Sequence, residues 1–302
     1  MKGDQYDHYN TDRFSLRISS RKNENDFGTV SMQHPKVRGF LNEWFYHKIL
    51  KYNDLPHLKY EFKSVKFKKK EKGTYAFEQY FSDPKVFENW SGIPGPILGF
   101  RDDLFWTTAP PEERDKNYDT DRYREADIKV FNKKDSRIDS LVFAEALDLI
   151  RKYQQDSIPA NQVFDMQKMG EFYALMDLLG GRHALRWINV RYYFNPQKHR
   201  FEPLGYDSNN GTVFKVMILE SYINKALHNS IMTDSVFLKS YHEKLKEVQE
   251  QSYLDDFFIS VEDDMGFQLK TIYLSDLNYR FDKKRYYNNQ KIIKAYLDEI
   301  EK

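Results

Sequence analysis

Hydrophobic and polar residues follow two different periods in the first part of the chain. Apolar side chains alternate with polar ones in Phe14–Ile18, Tyr60–Phe67 and Thr74–Phe81. Alternation is typical of β-strands with one buried face. Apolar residues at positions 37, 40, 41, 44, 45 and 49 instead recur every three or four residues. This spacing predicts an amphipathic helix over Pro35–Leu50, with Pro35 in its first turn.

Helical periodicity dominates the second half of the chain. Asp165 is a suitable N-cap for one of these helices, and Gly180-Gly181 would end it. Two strands, Asn189–Phe194 and His199–Tyr206, are predicted to form a hairpin, and a short strand pair is predicted near 266–273. Helices are predicted over 140–155, 164–179, 215–228, 235–251 and 286–300.

These elements predict an α+β protein with two lobes, as in protein-kinase-like folds. Residues 1–100 would form a strand-rich N-terminal lobe, and residues 101–139 would form connecting loops. Residues 140–302 would form a mainly helical C-terminal lobe that carries the hairpin of residues 189–207. Many unrelated folds share this plan, so the plan alone does not define a function.

The composition excludes several classes of function. The chain of 302 residues has 47 Lys and Arg against 46 Asp and Glu, a net charge of +1, so nothing in the overall charge points to a nucleic-acid partner. The absence of cysteine excludes thiol catalysis, Cys-ligated zinc and disulfides. No run of 18 apolar residues predicts a transmembrane segment, and residues 1–10 lack the apolar core of a signal peptide. Aromatic residues make up 16% of the chain, which predicts an aromatic-rich core.

Candidate chemistry is concentrated in residues 178–211. A predicted helix ends there, a polar loop with His183 and Asn189 follows, and the hairpin then leads to Asp207 and a glycine-containing turn. A carboxylate and an amide oxygen suit a hard cation such as Mg²⁺, which phosphoryl transfer requires. The alternative is structural, because Asp207 could cap a turn and Asn189 could bond to loop backbone.

The same window resembles the bacterial spore-coat-protein-H-like (CotH) atypical kinases. Asn189, the aromatic strand with its Asn-Pro turn (Tyr192–Pro196) and the segment Pro203–Asp207 match that family in order and spacing. The resemblance runs from about residue 13 to residue 211, roughly two-thirds of the chain. The N-terminal segments that carry it are Arg13–Ile18, Ser31–Pro35, Arg38, Glu43-Trp44, Gly73–Glu78, Gly95–Phe100 and Leu104–Trp106.

This resemblance implies a kinase that transfers the ATP γ-phosphate to a Ser or Thr hydroxyl of a protein. Asn189 and Asp207 would hold Mg²⁺ or Mn²⁺. Glu43 would pair with a basic residue of the first strand, for which Arg17 is the nearest candidate, to hold an ATP phosphate. Glu78 would lie at the lobe junction near the adenine. The family also implies an exported or envelope location, with the cytoplasm as the alternative.

One departure from the family concerns catalysis. Ala184 stands five residues before Asn189, where the family has its catalytic Asp. His183 is the nearest candidate for a general base, although it lies one residue out of register. Asp177 is a weaker candidate, and its alternative interpretation is a solvated helix residue. The sequence therefore also allows a pseudokinase, or a binding or surface-assembly module without catalysis.

Overall fold

Alternating apolar residues in the N-terminal part form a four-stranded antiparallel sheet. The computed structural model describes residues 13–20, 28–103, 121–220 and 225–302, so the motif segment Leu104–Trp106 lies outside the described residues. The sheet has the order β1-β2-β4-β3. Its strands are β1 (Leu16–Ser19), β2 (Thr29–Gln33), β3 (Tyr60–Phe67) and β4 (Lys70–Gln79).

The β3–β4 hairpin has a two-residue turn at its lysine-rich tip. Strand β3 has the predicted bounds, whereas β4 begins at Lys70 rather than at Thr74. Lys68 and Lys69 both have positive φ, 48° and 66°, and they alone form the turn. Two left-handed central residues match the right-handed twist of the flanking strands, which lets the ladder continue to the tip.

A second four-stranded antiparallel sheet, of order β6-β5-β7-β8, contains the hairpin that leads to Asp207. Strands β7 and β8 form the predicted hairpin but are shorter than predicted, and β5 pairs with β7 while β6 pairs with β5. Residues from the proline-rich middle of the chain therefore support the hairpin. The strands are β5 (Ile97–Phe100), β6 (Ile128–Val130), β7 (Tyr192–Asn195) and β8 (Arg200–Pro203).

Most predicted helices are present, with three corrections. The helix predicted over 215–228 differs, because residues 215–217 are not helical, Ile218–Glu220 form a 3₁₀ turn, and the helix described here covers Lys225–Met232. The predicted helix over 35–50 is divided into a 3₁₀ turn, Pro35–Arg38, and α1, because Gly39 is left-handed (φ 66°). The strand pair predicted near 266–273 is wrong, since this segment is helical and buries Met265, Gln268 and Ile272 at spacings of three and four. The helices are α1 (Leu41–Tyr52), α2 (Ser140–Gln154), α3 (Met166–Leu179), α4 (Lys225–Met232), α5 (Ser235–Val248), α6 (Gln251–Ser260), α7 (Glu262–Tyr273) and α8 (Lys284–Ile300).

Helix α1 lies at the centre of the hydrophobic core. Trp44, Phe45, Ile49 and Leu50 are completely buried. The ring of Phe45 packs 4.3 Å from that of Tyr286 on α8, measured between centroids. Each large apolar side chain that is buried in this way contributes roughly 1.5–3 kcal/mol to the free energy of unfolding. The aromatic residues of the chain thus join the C-terminal helices to the first helix.

The C-terminal helices also fix the segment that follows β8. Asn289 on α8 donates hydrogen bonds to the carbonyls of Leu178 (3.0 Å) and Thr212 (3.1 Å). Gly180, the predicted end of α3, is left-handed (φ 61°), and a Cβ there would lie 1.9 Å from the Thr212 carbonyl oxygen. Glycine at this position therefore permits the close approach that holds residues 207–212 against α3 and α8. Among the described residues, no helix is both long enough and apolar enough to span a membrane.

Candidate functional site

Asp207 lies four residues beyond β8 in a strained backbone conformation. Its φ is +50°, in the left-handed region, which Asp tolerates better than β-branched residues do. Its side chain is 20% exposed and forms an ion pair with Arg38, at the end of the 3₁₀ turn before α1. Arg38 is buried and also donates a hydrogen bond to the hydroxyl of Tyr206 (3.2 Å). The N-terminal elements therefore supply the cation that holds Asp207 in place.

His183 links the other two candidate residues. The side-chain amide of Asn189 donates to the carbonyl oxygen of His183 (3.0 Å). The Nε2 atom of His183 lies 3.7 Å from the Oδ2 atom of Asp207. His183 thus contacts Asn189 through its backbone carbonyl and Asp207 through its ring. The bond from Asn189 to loop backbone uses only its Nδ2, so its Oδ1 is the atom that suits a cation.

The loop places residue 184 in the interior. Ala184 is 4% exposed and lines an apolar cavity of about 10 Å³ together with Met169, Phe172 and Tyr173. His183, the preceding residue, instead points toward Asp207. Burial, together with the positive charges of Arg186 and Arg38, lowers the pKa of His183 to about 3. The imidazole is therefore neutral at pH 7 and is a weak proton acceptor.

Glu43 on α1 holds the residue that follows Asp207. Its fully buried carboxylate accepts hydrogen bonds from the backbone N–H (3.3 Å) and the hydroxyl (2.9 Å) of Ser208. The predicted pairing of Arg17 with Glu43 is absent among the described contacts. Arg17 is exposed, and its guanidinium stacks 3.6 Å from the ring centroid of Tyr80, while Arg38 is the cation that acts on Glu43. The difference arises because the turn before α1 buries Arg38, whereas Arg17 lies on the outer face of β1.

Glu78 belongs to the same buried cluster as Glu43. Carboxylate oxygens of both residues and a ring nitrogen of His47 lie within 4.8 Å of one another. Burial raises the pKa of Glu43 to about 7, with Arg38 opposing the shift and Glu78 adding to it. Burial lowers the pKa of Arg38, but Tyr206, Glu78 and Glu43 raise it by more, so the net direction is upward. Glu78 thus reaches Glu43 and Arg38 from the end of β4.

The Glu43, His47 and Glu78 cluster does not fit a metal ion. The Nδ1 atom of His47 accepts a hydrogen bond from the backbone N–H of Leu58 (3.1 Å), so Nδ1 carries no proton. Burial lowers the pKa of His47, which keeps the ring neutral and puts its proton on Nε2. That atom faces Glu43 at 3.8 Å, and a protonated nitrogen cannot bind a metal. Arg38 is instead the cation that compensates the two carboxylates.

Asp177 is a structural residue, and its interpretation as a solvated helix residue is wrong. It is completely buried and accepts hydrogen bonds from the Tyr241 hydroxyl (2.5 Å), Arg182 (3.2 Å) and the backbone N–H of Ile218 (3.1 Å). Burial raises its pKa to about 6. These bonds join α3 to α5 and to the turn at Ile218–Glu220. Because its oxygens are engaged in this way, Asp177 is not available to replace the missing catalytic Asp.

Sequence reasoning assigned no role to Ser208 and did not foresee the contact of Arg38 with Asp207. The sequence indicates only that Ser208 follows the candidate residue Asp207 and that Arg38 lies three residues before α1. A scan against models of protein families gives no match, and a search of curated proteins finds none that is similar to this chain.

Proposed function

We propose that this chain is a CotH-like atypical kinase that transfers the ATP γ-phosphate to a Ser or Thr hydroxyl of a protein. The observation that carries the proposal is the convergence of His183, Asn189 and Asp207, which come from one loop and the hairpin that follows it. Their order along the chain and the contacts through His183 support a site in which an Asn and an Asp hold the metal ion of phosphoryl transfer.

The arrangement of the two sheets is compatible with a two-lobed kinase-like fold. The first sheet and α1 would form the N-terminal lobe, and the helices around the second sheet would form the C-terminal lobe. Arg38 and Glu43, from the turn and helix after β2, contact Asp207 and Ser208 beyond β8. In a protein kinase, the Glu of the N-lobe helix and the metal-binding Asp must both be in place for transfer.

The donor atoms at this site fit Mg²⁺ or Mn²⁺. The carboxylate of Asp207 and the Oδ1 atom of Asn189 would hold the ion, since oxygen ligands suit a hard cation. When bound, such an ion neutralises the negative charge of the ATP phosphates. Arg38 would keep its contact with Asp207 and limit the rotation of that carboxylate. His183 lies beside the same carboxylate, where it could accept the proton of the substrate hydroxyl.

A second candidate is a pseudokinase that binds a nucleotide without transferring phosphate. The apolar surroundings of Ala184 favour it, because they leave the site without the carboxylate that the family uses as its base. The two candidates predict the same ligand and differ only in turnover.

One experiment separates the two candidates. It measures ADP release from ATP with Mn²⁺ or Mg²⁺, with casein as a generic protein substrate. We expect metal-dependent release, and we expect His183→Gln to reduce it by no more than about tenfold, because an imidazole whose pKa is lowered to about 3 is a weak general base. His199→Gln, which alters an exposed histidine bonded to Glu145, is the matched control and should leave the rate unchanged. Thermal stabilisation by ATP and Mn²⁺ without ADP release would favour the pseudokinase.

A further inference from the structure

Three basic residues lie around a continuous group of aromatic rings next to Asp207. Arg17 comes from β1, Lys129 from β6, and Arg191 immediately precedes β7. The rings belong to Tyr80, Phe81, Phe131 and Tyr206. Neighbouring rings in this group are in contact, with centroid distances of 5.5 Å for Tyr80 and Phe81, 4.7 Å for Phe81 and Phe131, and 5.2 Å for Phe81 and Tyr206. We call these seven residues the cationic slot.

Arg191 is the most rigidly held cation of the slot. Its guanidinium carbon lies 4.6 Å from the ring centroid of Tyr206 and 4.7 Å from that of Phe131. Its Nη1 donates to the carbonyls of Ile188 (3.0 Å) and Val190 (2.8 Å), which orients the group. Its Nε is buried and has no hydrogen-bond partner in the described part of the chain. A buried donor without a partner costs free energy, which a ligand acceptor would recover.

The other two cations approach the same rings. The Lys129 ammonium lies 5.1 Å from the ring centroid of Phe131, and the Arg17 guanidinium lies 3.6 Å from that of Tyr80. Within residues 13–20, 28–103, 121–220 and 225–302, none of the three cations forms an ion pair with a carboxylate. Burial lowers the pKa of Lys129, and the charges of Arg191 and Arg17 lower it further, whereas Asp102 opposes them. Asp102 acts to raise the pKa of both Lys129 and Arg191 but forms no ion pair with either within the described ranges.

We propose that Arg17, Lys129 and Arg191 form a metal-independent binding site for the phosphate groups of a polyphosphate ligand. The planar guanidinium of arginine matches phosphate oxygens, and apolar ring walls strengthen such contacts by excluding water. The slot adjoins Asp207, because Arg38 bonds to both Asp207 and the Tyr206 ring that contacts Arg191. The identity of the ligand as a nucleotide rests on the proposed function, whereas recognition of its phosphates does not.

The test is isothermal titration in EDTA with inorganic tripolyphosphate, ATP and adenosine as separate probes. We expect tripolyphosphate and ATP to bind and adenosine not to bind. The double variant Arg17→Gln/Lys129→Gln should weaken both interactions at least about tenfold, because each substitution removes one charge-assisted contact to phosphate. Both residues are exposed, so these substitutions spare the core. Lys270→Gln/Lys291→Gln, which removes two exposed charges on helices α7 and α8, is the matched control.

Three outcomes would overturn this proposal. One is no binding of tripolyphosphate, and another is equal loss of affinity in the control variant, which would indicate non-specific charge attraction. The third is that ATP and adenosine bind equally well, which would mean that the base rather than the phosphates is recognised. Binding of tripolyphosphate by a protein that shows no metal-dependent ADP release would support the slot and refute the kinase function. Metal-dependent ADP release by a protein that does not bind tripolyphosphate in EDTA would support the kinase function and refute the slot.

Discussion

Substitution of Asp207 by Asn is expected to abolish most metal-dependent ADP release. Asn tolerates the left-handed backbone of residue 207 (φ +50°), so the segment can keep its conformation. The substitution removes one negative oxygen from the proposed metal site. Because a bound metal contributes several kcal/mol to the transition state, and 1.36 kcal/mol is tenfold in rate, we expect a loss of at least about 100-fold.

Asp148→Asn is the control for this prediction. Asp148 forms an exposed i,i+4 ion pair with Lys152 on α2, and its substitution should leave both the rate and the melting temperature nearly unchanged. Circular dichroism of both variants would show that the fold is intact. An Asp207→Asn protein that retained full metal-dependent turnover would show that Asp207 is not a metal ligand.

Substitution of Arg38 by Met is expected to cause the largest loss of stability. Arg38 is the cation beside the buried carboxylates of Glu43 and Glu78 and the ion-pair partner of Asp207. Removing one partner of a buried charge cluster leaves the others uncompensated, which typically costs about 3–5 kcal/mol. Urea denaturation would measure this change in the free energy of unfolding. Arg137→Met, which breaks a surface pair with Asp135, should cost at most about 1 kcal/mol.

The loss in the free energy of unfolding that Arg38→Met causes should increase with pH. The pKa of Glu43, about 7 in the folded protein, lies above its value in the unfolded chain, so the folded state binds more protons between the two values. Its contribution to stability is therefore present at low pH and is lost as the pH rises through the folded pKa. Without Arg38 that pKa rises further, so the variant should lose more stability relative to wild type at about pH 8 than at about pH 5.5. A loss of stability that is equal at both pH values would contradict this role of Arg38.

Local patterns predicted the α+β class and most of the elements. The alternation in Tyr60–Phe67 and the N-cap at Asp165 depend on neighbours in sequence, and the structure has both as predicted. The predicted strands at residues 266–273 are wrong, because the apolar residues there are three and four positions apart and form one face of a helix. The prediction also failed at Gly39, whose left-handed backbone divides the predicted helix over 35–50. The first error is a wrong choice between strand and helix periodicity, and the second is a missed interruption of a helix. Tertiary packing decides both.

The sequence indicates the residues of the proposed site but not the contacts that hold them. The order of motifs indicated His183, Asn189 and Asp207, and the structure brings them together. The roles of Arg38 and Ser208 depend on how the turn before α1 meets the segment after β8. These two segments are far apart in sequence, since Arg38 and Tyr206 are separated by 168 positions. No local pattern could therefore assign the two residues. Burial of Asp177 and Ala184 likewise depends on the long-range packing of α3, which no local pattern specifies.

The most direct test of the proposed site is a crystal structure of the protein with Mn²⁺ and a non-hydrolysable ATP analogue. We expect anomalous scattering from Mn²⁺ at about 2.1 Å from oxygen atoms of both Asp207 and Asn189, with the analogue's phosphates between them and the cationic slot. Mn²⁺ bound at any other position, or a nucleotide bound without contact to Asp207 and Asn189, would contradict the proposal.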